Sequence, residues 1–320
     1  MPYVLLIIGF ALLMVGANYF VKGASNISAL LRVPPILVGL TIVSFGTSSP
    51  EATVSIIAAL NGNDDVSLGN VVGSNMFNTL FVLGVTAFIA PLVVNSQTIR
   101  KEIPFSFLAS ITLIVLMADT FLQDFTQNAL TRSDGFVLLL IFAVFLYYIF
   151  ELARKSRNEL VEPQGQLEEK DRSWLRNSIF TIGGLIAIVL GGDFVVTNST
   201  EIAFSLGMSE ALVALTIVAV GTSLPELVTS AVAAWKKESE IALGNIIGSN
   251  IFNILFVLGA SATISPIGVN VALFTDVMIL LVFTVIVLIF ALTHYTIGKR
   301  EGLFLAISYI AYMVYIIMRN

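Results

Sequence analysis

Residues 39–84 read GLTIVSFGTSSPEATVSIIAALNGNDDVSLGNVVGSNMFNTLFVLG, and residues 214–259 read ALTIVAVGTSLPELVTSAVAAWKKESEIALGNIIGSNIFNILFVLG. The two stretches align without a gap, Glu226 following Glu51 by 175 positions, and about 25 of about 46 positions are identical. The register extends upstream, where Gly16, Asn18 and Val21 fall opposite Gly191, Asp193 and Val196. A chain with such a duplication folds as two copies of one motif. What surrounds the copies decides how they sit.

The surroundings are apolar. Of 320 residues, 57% are hydrophobic and only 12% charged, where a soluble domain carries about a quarter charged residues. The apolar runs are of bilayer-spanning length, roughly 17–25 residues. Ten are expected: 3–20, 35–60, 66–94, 104–121 and 135–152, then 177–196, 211–235, 241–267, 272–293 and 302–318. The apolar start lacks a basic leader and a small-residue cleavage site, so it reads as a retained first span. The expected organisation is a first repeat over 1–152, a charged linker over 153–176 and a second repeat over 177–320. The expected fold is all-α, ten transmembrane helices in two five-helix repeats. Five is odd, so the repeats insert upside down relative to one another, the sequence mark of a transporter that opens a central site to each side in turn.

Basic residues set the expected orientation. Alternate loops, beginning after the first span, hold fourteen of the sixteen Lys and Arg residues, and the other set holds only Arg132 and Arg319. A multi-pass cell-membrane protein with both termini on the non-cytoplasmic side follows. Partners are the lipid bilayer and small cations. No basic patch suggests nucleic acid, and the absence of cysteine removes thiolate metal sites and thiol catalysis.

The polar residues of the repeats carry the chemistry. GTSSPE (46–51) and GTSLPE (221–226) each place a glutamate inside an apolar span, at a cost of at least ~2.5–3.5 kcal/mol. Pro50 and Pro225 have no N–H for the carbonyls of Gly46 and Gly221, so each helix breaks there. Ser44, Thr47, Ser48, Glu51 and Ser55 recur at three- and four-residue intervals and share one face; Asn70, Ser74 and Asn78 share another. The second repeat supplies Thr222, Ser223, Glu226 and Ser230, then Asn245, Ser249 and Asn253, with Ala219 opposite Ser44. Ser55 and Ser230 are expected to bond only to their own helices, and Asp193 to make a structural hydrogen bond. Every candidate ligand is an oxygen, which suits Na+, Ca2+ or Mg2+. One Ca2+ between Glu51 and Glu226 neutralises both, and so do two Na+. A site that holds either ion set but not both is what antiport requires.

GTSSPE with GNVVGSNMFN, and GTSLPE with GNIIGSNIFN, resemble the α-repeats of the sodium/calcium exchanger family among the calcium/cation antiporters. The resemblance implies an antiporter exchanging Ca2+ for Na+, with an H+-driven or other cation/Ca2+ antiporter as the close alternative. It implies that Glu51 and Glu226 bind both ions, that Thr47, Thr222, Ser48 and Ser223 add oxygens, and that the positions of Ser44 and Ala219 give backbone oxygens. Ser74 and Ser249 complete outer sodium sites, and Asn78 lies at the centre. Many members carry an aspartate at the position of Asn253, so here the centre holds two acids and not three. No resident cofactor is implied, and a monomer is expected. An enzyme is disfavoured by a single histidine and by the lack of HExxH or GxSxG.

Overall fold

A computed structural model describes residues 2–122, 127–159, 173–206 and 219–319. The protein is a helical membrane bundle. Helix α1 (Pro2–Leu31) is followed by a broken span, α2 (Pro35–Thr47) and α3 (Ser49–Leu60), and by α4 (Asp64–Ile89). A π-helical turn, Thr98–Glu102, leads into α5 (Ile103–Leu116). The span was expected to start at Pro104; Pro104 has no N–H for the carbonyl of Arg100, and the widened turn carries the helix across that gap. A short α6 (Asp119–Leu122) and α7 (Arg132–Glu159) complete the first half. The second half comprises α8 (Trp174–Ser205), the short α9 (Ala219–Gly221), α10 (Leu224–Trp235), α11 (Ser239–Ile264), α12 (Val271–His294) and α13 (Lys299–Arg319). Of the linker expected over 153–176, residues 153–159 continue α7 and residues 174–176 begin α8, and residues 160–172 lie outside the described residues.

The bundle has an inside and an outside. Of the apolar window of α11, 94% is buried, and of α4, 72%, whereas the windows of α1, α7, α8, α12 and α13 are 22–33% buried. The two helices that carry the repeated GNxxGSNxFN segments therefore form the centre, and the other long apolar helices face lipid. Burial of polar side chains at the centre follows from the bilayer: a polar group must find its partner inside the protein.

Helices α1 and α8 cross the bundle against each other, antiparallel. Glycines seven residues apart allow this approach: a Cβ on Gly16 would lie 2.8 Å from the carbonyl oxygen of Gly184, and one on Gly191 would lie 2.8 Å from that of Gly9. Small residues replace apolar bulk where two lipid-embedded helices meet backbone to backbone.

Two strand pairs tie the halves together. In the first, β1 (Leu92–Val93) pairs with β4 (Thr296–Ile297), Leu92 opposite Ile297. In the second, β2 (Ala129–Leu130) pairs with β3 (Ile267–Gly268), Leu130 opposite Ile267. The repeat also governs the tight turns. Gly62 has φ +72° and Lys237, its counterpart 175 positions on, has φ +64°. The same left-handed turn is built once with glycine and once with lysine.

Candidate ion-binding site

The breaks predicted at the hexapeptides are present. Helix α2 ends at Thr47, Ser48 leaves helical geometry with ψ 9°, and α3 restarts with Pro50 in its first turn. In the second half α9 ends at Gly221, Ser223 has ψ 9°, and α10 restarts around Pro225. Glu51 and Glu226 occupy the first turns of α3 and α10, where the positive end of the helix dipole favours an anion. The carboxyl-terminal ends of α2 and α9 immediately precede these turns.

The hydrogen bonds cross between the halves. Ser48 Oγ donates to Glu226 Oε1 at 2.8 Å, and Ser223 Oγ donates to Glu51 Oε1 at 2.9 Å. Both glutamates are fully buried. Each carboxylate is thus held through one oxygen by the opposite repeat. The other oxygen, Oε2 in both cases, is buried without a partner among the described residues. Behind each glutamate an asparagine of the same repeat braces the helix. Asn70 Nδ2 donates to the backbone oxygen of Glu51 (3.2 Å) and to Ser55 Oγ (2.9 Å); Asn245 Nδ2 donates to that of Glu226 (3.4 Å) and to Ser230 Oγ (2.9 Å). Ser55 and Ser230, expected to bond only to their own helices, instead receive these amides.

The remaining candidates fall around the carboxylates. Thr47 Oγ1 donates to Asn245 Oδ1 at 3.0 Å and lies 3.3 Å from the carbonyl oxygen of Ser44. Ser44 Oγ contacts the carbonyl of Thr41 at 3.4 Å. Ser74 Oγ donates to the carbonyl of Val71 and accepts from Asn253 Nδ2 at 3.0 Å. Thr222 Oγ1, Ser249 Oγ, Asn253 Oδ1 and both amide atoms of Asn78 are buried with no partner among the described residues. Ala219 contributes backbone at the start of α9. Asp193 lies exposed on α8, away from the buried polar centre.

Polar atoms buried without partners are costly, about 1–3 kcal/mol each, and a folded protein keeps few of them. Here Asn78 carries two, and the two glutamates, Asn253, Thr222 and Ser249 carry one each, among the described residues. Among the described residues no three acids, histidines or cysteines cluster as a metal centre; two carboxylates and several neutral oxygens make up the set. Such a set holds a weakly retained hard cation better than a structural transition metal.

The comparisons with known proteins agree with this arrangement. The profile of the family described as sodium/calcium exchanger protein matches residues 1–151 and 177–318. The chain belongs to the sodium/calcium exchanger family. Relatives of this family member include a putative antiporter, CaxA, of Alkalimonas amylolytica, 37% identical over 97% of the chain and 96% of that protein. The sodium/calcium exchanger MaX1 of Methanosarcina acetivorans is 31% identical over 98% of the chain and 97% of that protein. Among solved structures, the sodium-calcium exchanger NCX_Mj, soaked with Na+ and Sr2+, superposes with a TM-score of 0.84 at 27% identity, covering 98% of this chain and 97% of that one. The ten-helix inverted-repeat architecture is that of this neighbour.

Within the family fold, this member shows side chains that spacing alone did not single out. Asn75 Nδ2 donates to the backbone oxygen of Asn250 at 3.1 Å, Asn250 Nδ2 donates to Thr79 Oγ1 at 2.8 Å, and Asn253 Nδ2 donates to Asn75 Oδ1 at 3.2 Å. Asn75 and Asn250 are the asparagines of the repeated GSN triplets. The signal was present in the repetition, but neither residue shares the helical face of Asn70, Ser74 and Asn78.

Proposed function

We propose that this family member exchanges Ca2+ for Na+ across a cell membrane by alternating access to the site between Glu51 and Glu226. The observation that carries the reading is the crossed pair of hydrogen bonds, Ser48 to Glu226 and Ser223 to Glu51, with the second oxygen of each carboxylate left unpartnered. Two carboxylates bring two negative charges into low dielectric. One Ca2+ or two Na+ ions compensate them, and both sets together would overcompensate. Thr47, Thr222, Ser48, Ser223, Asn78, Asn253, Ser74 and Ser249 supply neutral oxygens, and Ser44 and Ala219 backbone oxygens. The neighbour NCX_Mj was studied with Na+ and with Ca2+ or Sr2+, the ions this charge balance suits.

Residues 1–152 and 177–320 act as the two inverted halves, joined on the cytoplasmic side by 153–176, with both termini on the opposite side. The chain works as a monomer with no resident cofactor. The test is labelled Ca2+ uptake into proteoliposomes loaded with Na+, with K+, or with a pH gradient alone. Uptake that requires internal Na+ is the expected result. Uptake driven equally well by the pH gradient would assign the alternative, H+-driven exchange. Uptake with no counter-ion would make the protein a channel.

A further inference from the structure

We propose that Asn75 is a positioning residue that sets the polarity of Asn253, and thereby excludes a third carboxylate from the centre; this rests on the ion-site reading above. The backbone oxygen of Asn250 can only accept, so the Asn75 atom 3.1 Å from it is the amide nitrogen. The oxygen of Asn75 therefore turns toward Asn253, 3.2 Å away. Ser74 Oγ gives its single proton to the carbonyl of Val71 and presents lone pairs to the same side of Asn253, at 3.0 Å. Residue 253 thus faces two acceptors. An amide NH2, with two donors, satisfies both; a carboxylate at this place meets oxygen with oxygen. With its nitrogen fixed there, Asn253 Oδ1 is the buried, unpartnered atom it leaves for a cation.

The device exists in one half only. The counterpart of Asn75 in the second repeat is Asn250, and its amide nitrogen is taken by Thr79 Oγ1 at 2.8 Å. The position equivalent to Thr79 in the second repeat is Ile254, which has no hydroxyl. Asn250 does not grip Asn78, whose amide oxygen and nitrogen are both without a partner among the described residues. One central amide is held with its oxygen presented, and the other has no such grip among the described residues.

The test is a double-mutant cycle of Asn75→Ala and Asn253→Asp, read as the Ca2+ concentration giving half-maximal uptake into Na+-loaded proteoliposomes. In the native background Asn75→Ala removes the lock, and the half-saturating Ca2+ should rise about tenfold. In the Asn253→Asp background the two oxygens are alike and there is no polarity to set, so the same change should shift it by less than about twofold, or lower it. If Asn75→Ala is not recovered in the membrane, Asn75→Ser enters the same cycle, since a hydroxyl donates and accepts and imposes no polarity. Equal shifts in the two backgrounds would make Asn75 a packing residue and overturn the proposal. One common half-saturation value for all four proteins would overturn the ion-site reading with it, because residue 253 would then not touch Ca2+.

Discussion

Glu51 and Glu226 are carboxylates that no solvent reaches, each tied by one oxygen to a serine of the opposite repeat. Converting either to glutamine keeps its shape and one acceptor but removes half of the charge that offsets Ca2+. Glu51→Gln and Glu226→Gln should each reduce Na+-driven Ca2+ uptake by more than about a hundredfold, a coupling of about 3 kcal/mol or more for a buried ion contact. Wild-type rates in either variant would refute the two-carboxylate site. Ser48→Ala and Ser223→Ala each remove one charge-assisted hydrogen bond, at about 1.5–3 kcal/mol. The crossed geometry makes them equivalent, so their apparent Ca2+ affinities should fall by similar factors. A variant pair in which only one serine mattered would show that the two carboxylates are not held alike.

At the scale of the element, two backbone features are exposed to test. A methyl group on Gly184 would lie 2.6 Å from the amide nitrogen of Phe20 and 2.8 Å from the carbonyl oxygen of Gly16. Both obstacles are backbone and cannot rotate away, so α1 and α8 would have to part. The neighbouring Gly183 meets no atom within 4 Å. Gly184→Ala should therefore lower the thermal midpoint of the detergent-solubilised protein by several degrees, and Gly183→Ala should not; equal midpoints would mean that the glycine contact does not limit the packing. In the turn after α10, Lys237 holds a left-handed conformation, φ +64°, that its counterpart Gly62 adopts without strain. Replacing a non-glycine residue there relieves about 1 kcal/mol. Lys237→Gly is expected to raise the midpoint, and a fall would show that the lysine side chain stabilises the turn by more than its backbone costs.

For the whole molecule the question is sidedness. The turns Asn61–Asp65 and Lys236–Glu240 are repeat counterparts, and an inverted repeat puts them on opposite faces. Because the chain has no cysteine, Asn61→Cys and Lys237→Cys each introduce a single thiol. An impermeant reagent added to intact cells should label the first and not the second. Labelling of both would contradict the proposed orientation. The two basic residues on the sparsely charged side each have a place in the fold. Arg319 pairs with buried Asp276 through both terminal guanidinium nitrogens, each at 2.9 Å, and Arg132 reaches the carbonyl of Ile264 at 3.5 Å. Both contacts tie helix ends together.

Ten spans, two inverted halves and helices interrupted at Pro50 and Pro225 were all legible in the linear chain. Apolarity, helical period and a missing N–H are properties of neighbours in sequence, and the gapless offset between Glu51 and Glu226 carries the architecture with it. The same local logic placed Thr47, Ser48 and Glu51 on one face. It could not say that Ser48 serves Glu226 while Ser223 serves Glu51, because each partner comes from the other repeat, 178 and 172 positions away. Nor could it give roles to Asn75 and Asn250, or show that Ser55 and Ser230 receive the amides of Asn70 and Asn245. Asn18 opposite Asp193 suggested a structural hydrogen bond for Asp193, which lies exposed on α8. Which helix a run forms depends on residues three and four apart; which oxygen is left without a partner depends on every helix packed around it, and only the assembled bundle decides that.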